Sequence, residues 1–334
     1  MSVSWTLLVF SGSFALAILS SLVLGADLDR IGRRLHLSEG LIGLLTALGA
    51  DGPEICSAII ALRAGYHDVG VGVILGSNIF NLAALLGLCA IVVGHLRVGR
   101  HGLILDGVVG ILLTLLASAL IFRLVAPGVV AILMAIVFIP YVTAYVIRPE
   151  LAARLPLPAA VHRFLDRAVV NVHQDARKDQ TPPQAHWMEF ISVMPAAASI
   201  ILGSFGMVNS AVQLGVRWHV SQAVVGTLVL AALTSLPNAA TALRLALHGR
   251  GAAVVSETLN SNTLNLAAGL CLPALFVPVA VSPSYIDGLS IWWLLAMTVV
   301  AIAATYRRHG LGRLGGTVIV LMYAIFTCLA IRHS

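Results

Sequence analysis

The chain has 334 residues, of which 59% are hydrophobic and only 10% are charged. Its mean hydropathy is +0.97. A soluble domain carries about 25% charged residues, so this composition excludes an ordinary water-soluble fold. The net charge of +6 comes from basic residues that lie between apolar runs, which indicates membrane topology rather than nucleic-acid binding.

Ten apolar runs of roughly the length that spans a bilayer as a helix follow one another along the chain. The short alternating strands of an outer-membrane barrel are not seen. The first run has no basic segment before it, so we interpret it as a retained helix rather than a signal peptide. The sequence therefore predicts an all-α membrane protein with ten transmembrane helices, at residues 5–24, 39–63, 69–94, 102–122, 126–147, 189–209, 221–247, 252–277, 286–305 and 313–331.

A polar, proline-containing stretch at 148–188 separates the fifth run from the sixth. It predicts a connector between a first membrane domain at 1–147 and a second at 189–334. With this topology, sixteen Lys and Arg residues fall on the side of the connector and four on the other side. Because basic loops stay in the cytoplasm, we expect the connector to be cytoplasmic and both termini to be outside. The expected location is the plasma (inner) membrane, crossed many times.

The two halves of the chain are related by an offset of 184 residues. This offset superposes Pro53 on Pro237 and Asn78 on Asn262 without a gap. Five is an odd number of helices, so the two five-helix copies must enter the membrane in opposite directions. Inverted repeats of this kind are typical of secondary transporters, whose ion sites lie near the bilayer midplane.

Polar residues interrupt the second and seventh runs at matching positions. Asp51 and Glu54 flank Pro53, and Ser235 and Asn238 flank Pro237. Proline breaks the helical hydrogen-bond ladder, so we predict a helix break at each proline. A carboxylate at the bilayer centre costs at least about 2.5 kcal/mol, and a bound cation or proton would offset this cost.

The third and eighth runs carry Ser and Asn four residues apart, at Ser77 and Asn81 and again at Ser261 and Asn265. Such pairs project oxygen atoms from one face of a helix, and oxygen is the ligand that sodium and calcium prefer. Glu257 lies one turn before Ser261. The predicted cation ligands are Asp51, Glu54, Ser77, Asn81, Thr234, Ser235, Asn238, Glu257, Ser261 and Asn265. Two further acids, Asp106 and Glu189, begin apolar runs and are interpreted as end-cap charges.

These motifs resemble those of the cation/calcium exchanger superfamily, best known as sodium/calcium exchangers. The segments 49–54 (GADGPE) and 76–81 (GSNIFN) resemble its first α-repeat, and 234–238 (TSLPN) and 260–265 (NSNTLN) resemble its second. The resemblance implies that Glu54 is a central calcium ligand. It also implies alternating access, in which the first and sixth helices slide past a fixed core of eight.

The sequence departs from the family pattern in the acidic residues. The family usually has a glutamate where this chain has Asn238, and often an acid where it has Asn265. Conversely, Asp51 stands where the family usually has serine. Charge is therefore redistributed, with Asp51 and Glu257 as the two candidates to replace the missing acid.

We expect a secondary active cation antiporter that exchanges calcium for sodium. A proton could replace sodium as the driving ion, or another cation could be exchanged, in the same fold. A scaffold or sensor with a relic site is the alternative from another class. The metalloprotease and serine-hydrolase signatures HExxH and GxSxG are absent, so no enzyme is expected. The expected partners are the lipid bilayer and the transported cations, with no nucleic acid and no cofactor besides those cations.

Overall fold

The structure is a computed structural model that describes residues 2–35, 37, 39–146, 187–277, 279, 285–307 and 309–333. The predicted connector at 148–188 lies outside these residues, apart from positions 187 and 188, which begin a helix.

The first half is helical, with one short strand. Its elements are α1 (Val3–Arg34), α2 (Glu39–Ala50), α3 (Gly52–Arg63), α4 (His67–Asn81), a π-helical segment (Leu82–Leu88), α5 (Cys89–Val93), β1 (His95–Arg97), α6 (Arg100–Ile121) and α7 (Pro127–Val146). Helix α1 extends ten residues beyond its predicted end at residue 24. Arg30, Arg33 and Arg34 therefore lie on a helix rather than in a loop.

The second half has a similar order of elements. They are α8 (Trp187–Arg217), α9 (Gln222–Val224), a π-helical segment (Val225–Leu230), α10 (Ala231–Thr234), α11 (Leu236–Leu247), α12 (Gly251–Leu264), a π-helical segment (Asn265–Cys271), a 3₁₀ turn (Pro273–Leu275), α13 (Tyr285–Arg307), β2 (Gly310–Gly312) and α14 (Arg313–Arg332).

Within the described residues, seven helices are long and apolar enough to cross a membrane, or nine if each of two bent pairs forms one span. The predicted run at 252–277 is not among them, because α12 is rich in polar residues such as Ser256, Glu257 and Asn260. The chain is thus a nearly all-helical, multi-pass membrane protein, and the count of ten spans stays a prediction.

A small sheet joins the two halves, and the sequence did not predict it. Strands β1 and β2 pair antiparallel, with His95 opposite Gly312 and Arg97 opposite Gly310. Helix α12 begins directly against β1, since a Cβ added to Gly251 would lie 2.7 Å from the Arg97 nitrogen. The sheet therefore fixes the start of α12.

The same turn closes one helical hairpin in each half. Gly65 and Gly249, 184 residues apart, have φ of 84° and 73°. Glycine adopts this left-handed conformation without the steric cost that a side chain imposes, and it commonly ends helices. The turns place α3 beside α4 and α11 beside α12.

The halves interlock at positions without side chains. A Cβ added to Gly76 on α4 would lie 2.1 Å from the carbonyl oxygen of Thr227. A Cβ added to Gly226 would lie 2.5 Å from the carbonyl oxygen of Val69. Helix α4 of the first half thus packs backbone to backbone on the segment Val225–Leu230 of the second.

Helices α1 and α8, the first and sixth predicted spans, pack along each other. A Cβ added to Gly203 on α8 would lie 2.7 Å from the carbonyl oxygen of Ser13 on α1. Near the far end of α1, Ser192 donates a hydrogen bond to Asp27. The two helices therefore form one close-packed pair.

Candidate cation site

Both halves bend at the position that precedes the proline. The axes of α2 and α3 differ by 54° across Asp51, and the helices on either side of Ser235 differ by 44°. Asp51 has φ −79° and ψ −3°, and Ser235 has φ −82° and ψ −1°. Pro53 and Pro237 lie in the first turn of the following helix. Because proline has no N–H, the carbonyl group four residues before each one lacks its helical donor.

The two bends bring acidic residues of the first half against polar residues of the second. The Asn238 amide Nδ2 lies 2.7 Å from Asp51 Oδ1 and 3.4 Å from Glu54 Oε1. The Ser261 hydroxyl donates to Asp51 Oδ1 at 2.7 Å. Asp51 and Glu54 are both 0% exposed. Two carboxyl groups from one half are therefore held by an amide and a hydroxyl from the other.

Asparagines from both halves form a second layer beside these acids. Asn81 Nδ2 donates to Ser261 Oγ and to Asn262 Oδ1, each at 3.2 Å. In the matching contact, Asn265 Nδ2 donates to Asn78 Oδ1 at 3.3 Å. Asn78 and Asn262 each donate to the other's backbone carbonyl at 3.0 Å. Apart from the contact of Asn81 with Ser261, the 184-residue offset relates each of these hydrogen bonds to another of them.

The sequence prediction did not include Asn78 and Asn262 among the site residues. The signal was present, because the 184-residue offset superposes them. Their amides bridge α4 and α12 rather than face the acids. They hold in place the helices that carry Asn81 and Ser261.

Several oxygen atoms of the site are buried without a hydrogen-bond donor from the described residues. They are Asp51 Oδ2, Glu54 Oε2, Asn81 Oδ1 and Asn265 Oδ1. A buried acceptor without a partner costs about 1–3 kcal/mol, and more when it is charged. A hard cation would satisfy such oxygens, since sodium and calcium bind carboxylate, amide and hydroxyl oxygen.

Other predicted ligands are buried nearby but donate to their own helices. The Ser77 hydroxyl donates to the Ile74 carbonyl at 3.1 Å, and the Thr234 hydroxyl to the Leu230 carbonyl at 2.9 Å. Each hydroxyl proton is therefore occupied, while the oxygen can still accept or coordinate. Ser235 is 0% exposed at the second bend.

Glu257 occupies a different environment from the other predicted ligands. It is partly exposed, and within the described structure it makes no hydrogen bond to Asp51, Glu54 or Ser261. Its Oε2 atom is buried without a partner. Glu257 is thus at the periphery of the cluster rather than within it.

The described residues contain no group of three or more His, Cys, Asp and Glu side chains that could hold a metal ion. The charge of the cluster comes from two carboxyl groups, and its other ligating atoms are neutral oxygens. Softer nitrogen and sulfur ligands, which zinc and copper favour, do not contribute. The chemistry therefore suits sodium, calcium or a proton.

The structure distinguishes the two acids that the sequence interpretation treated as end-cap charges. Asp106 was interpreted as an end-cap charge, which is wrong, because it lies six residues inside α6 and accepts hydrogen bonds from Tyr141 and Ser256. Glu189 lies in the first turn of α8, 3.6 Å from Arg30 on α1. The additional buried acids are Asp27, Asp106, Glu189 and Asp287.

Fold and site together define a multi-pass membrane protein of the two-repeat kind on which secondary transporters are built. A family model described as "Sodium/calcium exchanger protein" matches residues 5–147 and 189–332. The chain therefore belongs to the sodium/calcium exchanger family.

Individual relatives agree with this assignment. "Sodium/potassium/calcium exchanger 4" of Homo sapiens is 37% identical over 83 residues, which is 25% of this chain and 13% of that protein. The chain thus matches only a small part of the length of that relative. "Inner membrane protein YrbG" of Escherichia coli (strain K12) is 26% identical over 279 residues, or 80% of this chain and 78% of that one.

A solved structure shares the fold. The sodium-calcium exchanger NCX_Mj, soaked with 10 mM Na⁺ and zero Ca²⁺, gives a TM-score of 0.63 at 20% identity. The similarity covers 97% of this chain and 98% of that one. It shows a common fold along nearly the whole length.

Proposed function

We propose that this protein is a secondary active antiporter that exchanges calcium for sodium by alternating access. Family membership supports transport of cations, and the names of the human relative and of NCX_Mj include sodium and calcium. The proposed site is the cluster in which the two bends meet.

The proposal rests on one observation, which is the set of buried oxygen atoms where the two bends meet. Asp51 and Glu54 offer two negative charges, which match one calcium ion, and each has an oxygen that receives no hydrogen bond from the residues that the structure describes. The neutral oxygens of Asn81 and Asn265 extend the set. Because such a group of acceptors is costly without a ligand, binding of a cation stabilises it.

Asp51 is the better candidate to replace the acid missing at position 238. The Asn238 amide and the Ser261 hydroxyl both lie 2.7 Å from Asp51 Oδ1, so Asp51 is inside the cluster. Glu257 lacks such contacts. We propose Asp51 and Glu54 as charged ligands, with Ser77, Asn81, Thr234, Ser235, Asn238, Ser261 and Asn265 as neutral groups lining the site and Glu257 at its entrance.

Helices α1 and α8 are the proposed moving pair. They pack on each other, and α8 contacts the first bend where a Cβ added to Gly52 would lie 3.3 Å from Ile200 Cδ1. Movement of the pair along α3 would change access to Glu54 while the two bends stay together. The proposed topology has ten spans in two inverted halves, at 1–147 and 189–334. The connector at 148–188 would lie on the cytoplasmic side of the inner membrane.

A proton is the second candidate for the driving ion. The carboxyl groups of Asp51 and Glu54 share the Asn238 amide, so ionising both brings two buried negative charges together. Like charges disfavour double ionisation, and one proton would relieve it. The same site could therefore exchange calcium for protons.

Transport measurements on purified protein in liposomes distinguish sodium from the proton as the driving ion. Uptake of radioactive calcium is measured with an outward sodium gradient, with choline replacing sodium as the control, and then with a pH gradient alone. Uptake that needs sodium supports the proposal, and uptake that needs only the pH gradient supports the proton alternative. Absence of flux for every cation tested, in protein shown to be folded, would favour the scaffold or sensor.

A further inference from the structure

Four arginines surround the small sheet of β1 and β2, and we call them the sheet arginines. Arg97 ends β1, Arg100 begins α6, Arg307 ends α13 and Arg313 begins α14. All four are exposed. Because α6, α13 and α14 are each long and apolar enough to cross a membrane, their ends lie at the membrane surface. The sheet arginines are therefore at the level of the lipid head groups.

Contacts across the sheet bring these arginines to one place. Arg97 lies opposite Gly310 in the antiparallel pairing, three residues after the end of α13. Arg100 Cζ lies 4.9 Å from the centre of the Tyr306 ring, next to Arg307. The end of β1, the start of α6 and the end of α13 therefore meet.

The fourth arginine is fixed at the other end of β1. Arg313 Nε donates to the Ile91 carbonyl at 3.2 Å, and a Cβ added to Gly94 would lie 3.6 Å from the same nitrogen. Gly94 directly precedes β1. Arg313 thus joins the start of α14 to the start of β1.

The sheet arginines have no acidic partner among the residues that the structure describes. None of them forms an ion pair there, and the first turns of α6 and α14 contain no acid. Arg100 and Arg313 begin their helices, where the helix dipole favours negative charge rather than positive. Four positive charges at one place therefore favour an anion from outside the described residues.

An apolar stripe begins beside this positive group and runs along α14. Leu314, Val318, Leu321 and Ile325 are three or four residues apart, so they share one face of the helix, and each is between 41% and 68% exposed. Such a face contacts acyl chains. The positive group and the stripe together match an amphiphile with an anionic head group better than a free anion.

We propose that the sheet arginines bind the head group of an anionic phospholipid, whose acyl chains lie along the stripe of α14. Anionic lipids attract basic residues that adjoin transmembrane helices. The head group lies over the outer face of the sheet, where Arg97 is exposed while Leu96 is buried on the opposite face. Opposite Arg97 stands Gly310, which has no side chain to cover that face.

The bound lipid also supports the helix that enters the proposed cation site. Helix α12 begins directly against Arg97, as the close approach of Gly251 shows, and it carries Ser261. A lipid that holds β1 in place therefore stabilises the start of α12.

Lipid binding to the purified full-length protein in neutral detergent tests the proposal. The probe is fluorescent phosphatidylglycerol. The competitors are unlabelled phosphatidylglycerol, phosphatidylcholine with the same acyl chains, and glycerol phosphate, which is the head group alone. We expect only unlabelled phosphatidylglycerol to displace the probe. Displacement by either other competitor as effective as that by phosphatidylglycerol would overturn the proposal.

The main variant combines Arg97→Gln with Arg307→Gln, because neither side chain bonds to another described residue and the fold should survive. Binding should weaken about 30-fold, since each arginine near anionic lipid contributes a gain of about fivefold. Arg97→Lys with Arg307→Lys keeps both charges and should retain most of the binding.

The matched control is Arg63→Gln with Arg332→Gln, which removes two exposed arginines at the ends of α3 and α14 that lie away from the sheet. It should leave binding unchanged. Equal weakening by the two glutamine pairs would mean general attraction of charge and would overturn the proposal.

Stability provides the second measurement. A lipid that binds the folded protein raises its unfolding temperature. Phosphatidylglycerol should do so for the wild type and the lysine variant, and much less for Arg97→Gln with Arg307→Gln. Should that pair fail to fold, Arg307→Gln alone should weaken binding about fivefold. Full binding by Arg307→Gln would contradict the assigned site.

Discussion

The two helix bends have the same backbone but different chemistry. Asp51 and Ser235 have nearly the same φ and ψ and are related by the 184-residue offset, as are Glu54 and Asn238. Both charges lie on the first bend, and the second contributes only neutral groups. The difference shows that the repeat fixes where polar side chains stand at the two bends, while the acidic residues need not be shared between the halves.

The contacts around the bends differ as well. Gly76 lies against Thr227, but the corresponding pair, Asn260 and Gly43, has no such approach, since a Cβ added to Gly43 would meet nothing within 4 Å. The segment Val225–Leu230 is thus packed on α4, whereas its counterpart in α2 is less closely held. The two related halves are therefore packed differently at these corresponding positions.

The largest effect is expected when the charge of the first bend is removed at Glu54. Glu54→Gln should reduce calcium binding by about 100-fold, since an interaction with a charged group contributes up to about 3 kcal/mol. Calcium affinity of the purified protein is measured together with its unfolding temperature. Asp29→Asn is the control for loss of a carboxylate. A Glu54→Gln protein that binds calcium normally would place the site elsewhere.

A double substitution that moves one carboxyl group to the second bend tests whether the charge can be supplied by either half. Asp51→Ser combined with Asn238→Glu leaves two carboxyl groups, one in each half. Because the two positions lie within hydrogen-bond distance of each other, we expect calcium affinity within about tenfold of the wild type. Asp51→Ser alone should bind far more weakly. The idea of redistributed charge fails if the double variant binds no better than that single variant.

Disturbing the asymmetric packing should cost stability rather than affinity. Gly76→Ala places a Cβ against the Thr227 backbone, and we expect a loss of about 1–3 kcal/mol in the free energy of unfolding. Gly43→Ala, in an uncrowded helical position, should be neutral or stabilise by up to about 1 kcal/mol. Chemical unfolding in detergent measures both. Equal effects of the two substitutions would show that the close packing is unimportant.

The smallest effect is expected at Glu257, which belongs to the second half but lies outside the cluster. Glu257→Gln should change calcium affinity by less than about threefold, or about 0.7 kcal/mol. Asp51→Asn, measured beside it, should have a much larger effect. The opposite order would identify Glu257, rather than Asp51, as the replacement for the missing acid.

Much of this architecture can be predicted from local sequence patterns. Runs of apolar residues indicate the spans because hydrocarbon excludes charge, and Pro53 and Pro237 indicate the bends because proline lacks an N–H. The offset matched Asn78 with Asn262, whose bridging role then emerged only from their contacts. The sheet of β1 and β2 escaped prediction, because three-residue strands with little alternation carry almost no periodic signal.

The membrane class, the duplication and the residue types available at the two bends can be predicted from the sequence, since they depend only on composition and on order along the chain. Folding in three dimensions determines that Asn238 and Ser261 contact Asp51, that Glu257 makes no hydrogen bond to it, and that Asp106 is buried against Ser256. These contacts join residues more than a hundred positions apart. Their distances depend on how α3, α6 and α12 pack, and no local pattern specifies that packing.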